Sequence, residues 1–299
     1  VLVGPGDDAG VCLVDGRAIV ETVDVMSPVV NDPFTFGEIS AANSLSDVYA
    51  MGGSPVSAMA VAGFPLCDYE PAVLGDIMKG ALATLDRAGV ALVGGHSFDN
   101  GDIKFGLSVM GTVDKDRILR VSGAKPGELL VLTKPLGVGI LTTALKGGIL
   151  TDAELQEAIG WMKTLNREAS EIALKAGVSA CTDVTGFGLL GHALNMLKEG
   201  RADFSIAGSD IPLMGRVTDM IDEGMAPGGA YRNLSFAGGF VDWGEGMTEE
   251  MKLILSDPQT SGGLLVSVRK EGLGRFEESG LFYRVIGNVI EGTGRISVS

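Results

Sequence analysis

Four acidic residues, Asp8, Asp24, Asp47 and Asp183, stand in runs of Gly, Ser, Thr and Asn that an ordinary core strand or helix would not choose. The runs are G-D-D-A-G (6–10), E-T-V-D (21–24), N-S-L-S-D (43–47) and T-D-V-T-G-F-G-L-L-G-H (182–192). Carboxylates among small residues suit hard cations and phosphates, because magnesium takes oxygen ligands and glycine lets main-chain N–H groups come close to a phosphate. The first reading is a magnesium-nucleotide enzyme. Asp47 carries most weight, since it falls inside a helical pattern of small and apolar residues, where a carboxylate without a cation is costly. Asp7 and Asp8 read either as ligands or as a solvated turn, and Asp24 either as a ligand or as a cap at the end of a strand. Gly94-Gly95-His96-Ser97 follows a strand and fits a phosphate or ribose loop or a plain turn.

Other candidates read more plainly. His96 and His192 are the only histidines, lie far apart and have no acidic partner at catalytic spacing, which argues against a triad. His192 is expected to pack on a helix face near Asp183. Lys134, in T-K-P-L-G, contacts phosphate or is solvated. Cys12, Cys67 and Cys181 lack metal or redox spacing and read as inert small hydrophobes. Met214, Met220 and Met225 read as core filler.

The elements that must carry these residues follow from periodicity. Apolar runs at 11–14 and 17–23 flank Asp15-Gly16, a hairpin signal that places Asp24 at the end of the second strand. Thr35-x-x-Glu38 has capping-box form and opens a helix over about 36–51, with Asn43 and Asp47 on one face. A strand at 57–64, a helix at 70–88, a strand at 91–93 running into the 94–97 loop and a strand at 103–113 complete a first α/β or α+β domain. The charged, aperiodic stretch 114–127 sets the boundary, giving domains 1–113 and 114–299. The second domain is expected to hold strands at 129–133, 202–206, 264–268 and 283–289. Its helices fall near 139–145, 152–176, 189–198 and 271–278, with Asp183 in a loop and a Gly-rich stretch at 227–229.

Composition removes whole classes. The formal net charge of -15 argues against a nucleic-acid partner, which needs clustered Lys and Arg. The same charge would repel ATP unless divalent metal came with it. No apolar run is long enough to span a bilayer and residues 1–7 carry no basic leader, so no membrane partner is expected and the chain reads as cytoplasmic.

Together these motifs resemble selenophosphate synthetase (selenide, water dikinase). That family belongs to the superfamily of aminoimidazole ribonucleotide synthetase, thiamine-monophosphate kinase and the hydrogenase maturation ATPase HypE. G-D-D-A-G, Asp24 and A-A-N-S-L-S-D-V-Y-A-M-G-G (41–53) resemble the superfamily at large. Gly95-His96-Ser97, the 182–192 motif and D-P-Q-T-S-G-G (257–263) resemble the synthetase in particular. The resemblance implies an α+β, two-domain aminoimidazole ribonucleotide synthetase-like fold that pairs as a homodimer. It also implies conversion of ATP, selenide and water to selenophosphate, AMP and phosphate, supplying selenium for selenocysteine and selenouridine. Asp8, Asp47 and Asp183 would hold Mg2+, with K+ as a further cation. Asp7, Asp24 and Asp47 would line the ATP site, to which the partner subunit would offer Gly95, His96 and Ser97. The family's glycine-rich segment with its Cys or selenocysteine and Lys lies upstream of G-D-D-A, so no residue of that pair falls within 1–299. Two rivals remain at this stage: a kinase of the thiamine-monophosphate type, releasing ADP, and a non-catalytic ATP-binding paralogue.

Overall fold

The computed structural model describes residues 1–198 and 201–299. Contacts divide it into two units, Val1–Ile118 with Ile159–Leu165, and Leu119–Ala158 with Asn166–Ser299. The division after Ile118 falls five residues beyond the expected 113, and the short piece Ile159–Leu165 groups with the first unit.

In the first unit the chain runs β1 (Gly10–Val14), β2 (Arg17–Met26), α1 (Pro33–Ala50), β3 (Ser54–Phe64), α2 (Pro71–Ala88), β4 (Ala91–Asp99) and β5 (Lys104–Val113). Asp15 and Gly16 both take positive φ, 47° and 80°, the geometry that a two-residue hairpin turn demands. The five strands are ordered β1-β2-β5-β3-β4, antiparallel except for the parallel β3/β4 pair. Ala18, Val20, Ala58, Ala60, Phe105 and Leu107 are buried, and α1 lies against their side of the sheet, with Ser40 Oγ donating to the Phe105 carbonyl. On the opposite side Val23, Val25 and Met59 are exposed.

Three local expectations are corrected here. β2 continues two residues past Asp24, so Asp24 lies within the strand and not at its end. Residues 95–97 are not a loop, because β4 extends to Asp99. Gly95 is needed there for approach: a Cβ would lie 2.2 Å from the Ala60 carbonyl of β3. Helix α1 starts earlier than the capping box suggests. Asp32 is the N-cap, its carboxylate accepting the Thr35 N–H at 2.7 Å, and Pro33 supplies a φ suited to the first turn. Glu38, freed from capping, is buried and ion-paired with Arg87 at 2.9 Å and with Lys163.

The second unit holds β6 (Leu129–Leu132), α3 (Val138–Lys146), α4 (Gln156–Lys163, whose residues from Ile159 group with the first unit), α5 (Arg167–Ala176), β7 (Ala180–Asp183), α6 (Gly188–Leu197) and β8 (Ala202–Ile206). It continues through α7 (Val217–Asp222), α8 (Gly228–Ala237), β9 (Val241–Trp243), α9 (Glu249–Leu255), β10 (Leu264–Val268), α10 (Lys270–Ser279), β11 (Arg284–Glu291) and β12 (Ile296–Val298). Among the described residues these strands form one seven-stranded sheet, ordered β7-β10-β6-β11-β8-β12-β9. Leu130, Leu132, Phe204 and Leu265 are fully buried in its core.

The single helix expected over 152–176 is two. Asn166 marks the break, because its amide donates to the Gly262 carbonyl at 2.8 Å instead of facing solvent on a helix. Gly228 and Gly229 of the Gly-rich stretch begin α8, and a Cβ on Gly229 would lie 2.7 Å from Pro258 Cγ. No described helix is long and apolar enough to cross a membrane.

Candidate functional site

The first unit fixes its carboxylates by crossing hydrogen bonds between β2 and α1. Thr22 and Asp24 point to the same face of β2 because they are two apart. Asn43 and Asp47 meet them from α1 because they are four apart. Thr22 Oγ1 donates to Asp47 Oδ2 at 2.5 Å, and Asn43 Nδ2 donates to Asp24 Oδ2 at 2.6 Å. Ser44 ties the backbones together, donating to the Asp24 carbonyl at 3.3 Å and accepting the Leu107 N–H at 3.1 Å. Burial raises the Asp24 carboxyl above its ordinary value, with the Asn43 hydrogen bond opposing that shift. The half-buried Asp7 and Asp8 form a compact turn in which Asp7 Oδ1 accepts the Asp8 N–H at 3.1 Å.

Gly95, His96 and Ser97 are not among this group. They sit exposed on β4, the edge strand, with β5 and β3 between them and β2. At about 4.8 Å per strand that is roughly 14 Å of separation within one chain. The His96 ring stacks on Phe98, with centroids 6.2 Å apart.

In the second unit Asp183 is the last residue of β7, not a loop residue, and is only 2% exposed. His192, on α6, offers a ring nitrogen within 4.8 Å of an Asp183 oxygen, in keeping with the expected packing. His192 Nε2 accepts the Thr185 N–H at 3.1 Å and lies 3.2 Å from Thr185 Oγ1. That nitrogen is therefore an acceptor, the ring is neutral, and burial pushes its pKa down to about 4. Lys134 is not solvated: it is 3% exposed and its Nζ donates to the Ser261 carbonyl at 2.8 Å. Burial pushes the ammonium down to about 7, with the Asp183 charge pulling it back up.

Two residues of D-P-Q-T-S-G-G do work that the sequence reading left unassigned. Gln259 Oε1 accepts the Gly137 and Val138 N–H groups at 3.1 Å each, and Asp257 Oδ2 accepts the Gly139 N–H at 2.9 Å. Together they cap α3 from outside its own sequence and satisfy donors that the helix start leaves open. Gly139 must be glycine, since a Cβ there would lie 2.4 Å from Asp257 Oδ1. Burial raises the Asp257 carboxyl to about 7, against the lowering effect of its Gln259, Ile140 and Gly139 hydrogen bonds.

Asp257 and His192 give opposite pH signatures. For Asp257 the folded pKa lies above the unfolded one, so its contribution is present below about pH 4 and is lost as pH rises toward 7. For His192 the folded pKa lies below, so its contribution is present above about pH 6.5 and is lost as pH falls toward 4. Each is on the order of 3 to 4 kcal/mol, and the two offset in the wild type. Urea denaturation from pH 4 to 8 is expected to show Asp257→Asn gaining stability relative to wild type as pH rises. His192→Gln should gain relative to wild type as pH falls. Parallel curves for either variant would refute its burial as the cause.

Each unit on its own presents oxygen donors of the kind that hard cations prefer. Asp24 and Asp47 are aligned by neutral donors, and Asp183 is buried at a strand end. The second unit's nearest imidazole is already engaged as an acceptor. A hard, oxygen-preferring ion such as Mg2+ fits the carboxylates of either unit better than a nitrogen-seeking one.

Comparison with known proteins places the chain in a family. Residues 6–113 match the model of the AIR synthase related protein N-terminal domain, and residues 125–299 match that of the C-terminal domain. Over 297 residues the chain is 47% identical to "Selenide, water dikinase" of Geobacter metallireducens, covering 97% of this chain and 86% of that protein. The Trichlorobacter lovleyi protein of the same name is 46% identical with the same coverage. Among solved structures, AaThiL in complex with AMPPCP and TMP superposes with a TM-score of 0.76 at 19% identity, covering 98% of this chain and 87% of that one, which shows the shared fold. Both halves of the chain thus carry AIR synthase related domains, and at this level of identity along nearly its whole length the chain belongs to the selenide, water dikinase family.

Proposed function

We propose that this chain catalyses the selenide, water dikinase reaction: ATP, selenide and water become selenophosphate, AMP and orthophosphate. The observation that carries the reading is 47% identity over 297 residues to a protein of that name, spanning both domains. The thiamine-monophosphate kinase rival has fold likeness behind it, at 18% and 19% identity to solved structures of that name.

Asp8, Asp47 and Asp183 are proposed to hold Mg2+, which when bound neutralises the phosphates. The fit is supported by a buried Asp183 and by an Asp47 aligned on Thr22. Asp7, Asp24 and Asp47 are proposed to face ATP, with Asn43 keeping the Asp24 carboxylate in place. K+ is a further proposed cation, and the cytoplasm the proposed compartment.

Gly95, His96 and Ser97 are proposed to serve the ATP site of a second copy in a homodimer. Two features favour this: their distance from Asp24 within one sheet, and the exposed apolar face of Val23, Val25 and Met59 that a second sheet would cover.

Phosphorus NMR of the full-length protein, given Mg-ATP under anaerobic conditions, tests the reading. Selenide-dependent appearance of selenophosphate and AMP in equal amounts is expected. ADP as the stable product would overturn it in favour of a kinase that transfers one phosphoryl group.

A further inference from the structure

The stretch 256–263, between α9 and β10, has no regular secondary structure and is nevertheless mostly buried. Connections normally run over the surface, because a buried one must find partners for its main-chain groups away from water. Here many of the partners come from two places, the loop that opens α3 and the turn that follows Asp183. On the first side Lys134 Nζ donates to the Ser261 carbonyl at 2.8 Å, and Gln259 Oε1 accepts the Gly137 and Val138 N–H groups. On the second side Gln259 N–H donates to the Thr185 carbonyl at 2.9 Å, and Val184 N–H donates to the Gly263 carbonyl at 2.9 Å.

Gln259 is the residue common to both sides. Its main chain holds Thr185, and its side-chain oxygen closes the start of α3. Its side-chain nitrogen donates to the Asp257 carbonyl at 2.7 Å and to Asp257 Oδ2 at 2.9 Å, which fixes the orientation of the amide. The packing around it leaves no slack. A Cβ on Gly262 would lie 2.0 Å from the Val184 carbonyl oxygen and 3.1 Å from Gln259 Cβ, and one on Gly188 would lie 2.7 Å from the Ser256 carbonyl. The turn after Asp183 therefore cannot move toward 256–263 without collision, and moving away would break the Val184 and Thr185 hydrogen bonds.

We propose that Gln259 is a positioning residue for Asp183: by tying the 184–185 turn to the start of α3 it sets where β7 ends, and so where the Asp183 carboxylate stands. The consequence for metal binding rests on Asp183 being a ligand, as proposed above, whereas the clamp does not.

The test is amide hydrogen exchange on the full-length protein, comparing wild type with Gln259→Met, Asp183→Asn and Glu128→Ala. Gln259→Met keeps the length of the side chain and removes both of its polar ends. Glu128 is a remote structural control. It is buried just before β6, at the end away from the α3 loop, and accepts the Lys125 N–H at 3.0 Å, Ser267 Oγ at 2.7 Å and Ser179 Oγ. Gln259→Met and Glu128→Ala should each lower Tm by about 5 °C. In metal-free protein, exchange over 137–140 and 184–188 should quicken by about tenfold in Gln259→Met and not in Glu128→Ala. Mg2+ titrated in the presence of AMPPCP should slow exchange over 182–188 in wild type and fail to do so in Asp183→Asn. The Mg2+ needed for half of that effect should rise about tenfold in Gln259→Met and stay within about twofold of wild type in Glu128→Ala. Should Gln259→Met fail to fold, Gln259→Glu takes its place, since it retains an acceptor for the Gly137 and Val138 N–H groups. Metal-free exchange over 184–188 no faster in Gln259→Met than in Glu128→Ala would overturn the clamp. Faster exchange with an unchanged Mg2+ requirement would overturn the positioning role. Protection of Asp183→Asn equal to that of wild type would instead overturn the metal reading of Asp183 and leave the clamp standing.

Discussion

Asp47→Asn is expected to lower selenide-dependent AMP formation by about 10^3-fold, roughly 4 kcal/mol of transition-state stabilisation, while leaving Tm within about 2 °C of wild type. The change is nearly isosteric. An amide oxygen still accepts the 2.5 Å hydrogen bond from Thr22 Oγ1, so the link between β2 and α1 survives and only the negative charge is removed. In phosphoryl transfer the protein contributes chiefly by holding metal and phosphate charge in a fixed geometry. A ligand that loses its charge therefore weakens the chemistry far more than the fold. Thr22→Val makes the complementary change, keeping the charge while removing its alignment, and should cost only about tenfold. Product analysis by phosphorus NMR separates the two variants. If Asp47→Asn retained more than about a tenth of wild-type activity, Asp47 would not be a metal ligand.

The carboxylates were legible because their neighbours were wrong for a core: Asn43 and Ser44 on a buried helix need a reason, and the reason lies in their bonds to β2 and β5. The face shared by Asn43 and Asp47 followed from spacing alone. What was misread depended on distant partners. Gly94-Gly95 looks like a turn to any local rule, yet β4 runs through it because the Ala60 carbonyl leaves no room for a side chain at Gly95. Glu38 completes a capping box by sequence, but the Arg87 and Lys163 charges claim it. Lys134 beside a proline read either as a phosphate contact or as solvated, and only the arrival of Ser261, 127 residues later, shows it buried. The 152–176 pattern has no proline to show where it breaks, since the break at Asn166 is set by the Gly262 carbonyl. Local propensity located most of the strands and helices, and long-range contacts decided their ends.

The other large effect is expected outside the Asp24 and Asp47 group, at the crossing of α1 and α2. A Cβ on Gly37 would lie 1.9 Å from the Ile77 carbonyl oxygen, and one on Gly80 would lie 1.9 Å from that of Phe34. The contact is reciprocal: each helix offers a glycine to a backbone carbonyl of the other, or to one at its start. Neither oxygen can rotate away as a side chain would. Helix propensity alone predicts that Gly→Ala stabilises a helix by about 1 kcal/mol. Here the sign must reverse, because the helices can only accept the methyl group by moving apart along a buried interface. Gly37→Ala and Gly80→Ala should each cost about 4 kcal/mol or more, seen as a Tm lower by about 10 °C or as failure to fold. Gly75→Ala is the internal control: it lies in the same α2, nothing stands within 4 Å of its added Cβ, and it should be neutral or stabilising. The consequence reaches the site because α1 carries Asn43 and Asp47, whose partners on β2 are held at 2.6 and 2.5 Å. A helix displaced by about 1 Å misplaces both, which costs on the order of 10^2-fold in rate. Whatever Gly37→Ala protein folds at low temperature should therefore be slower as well as less stable. Gly37→Ala and Gly75→Ala matching in Tm would show that the two helices do not meet at these glycines.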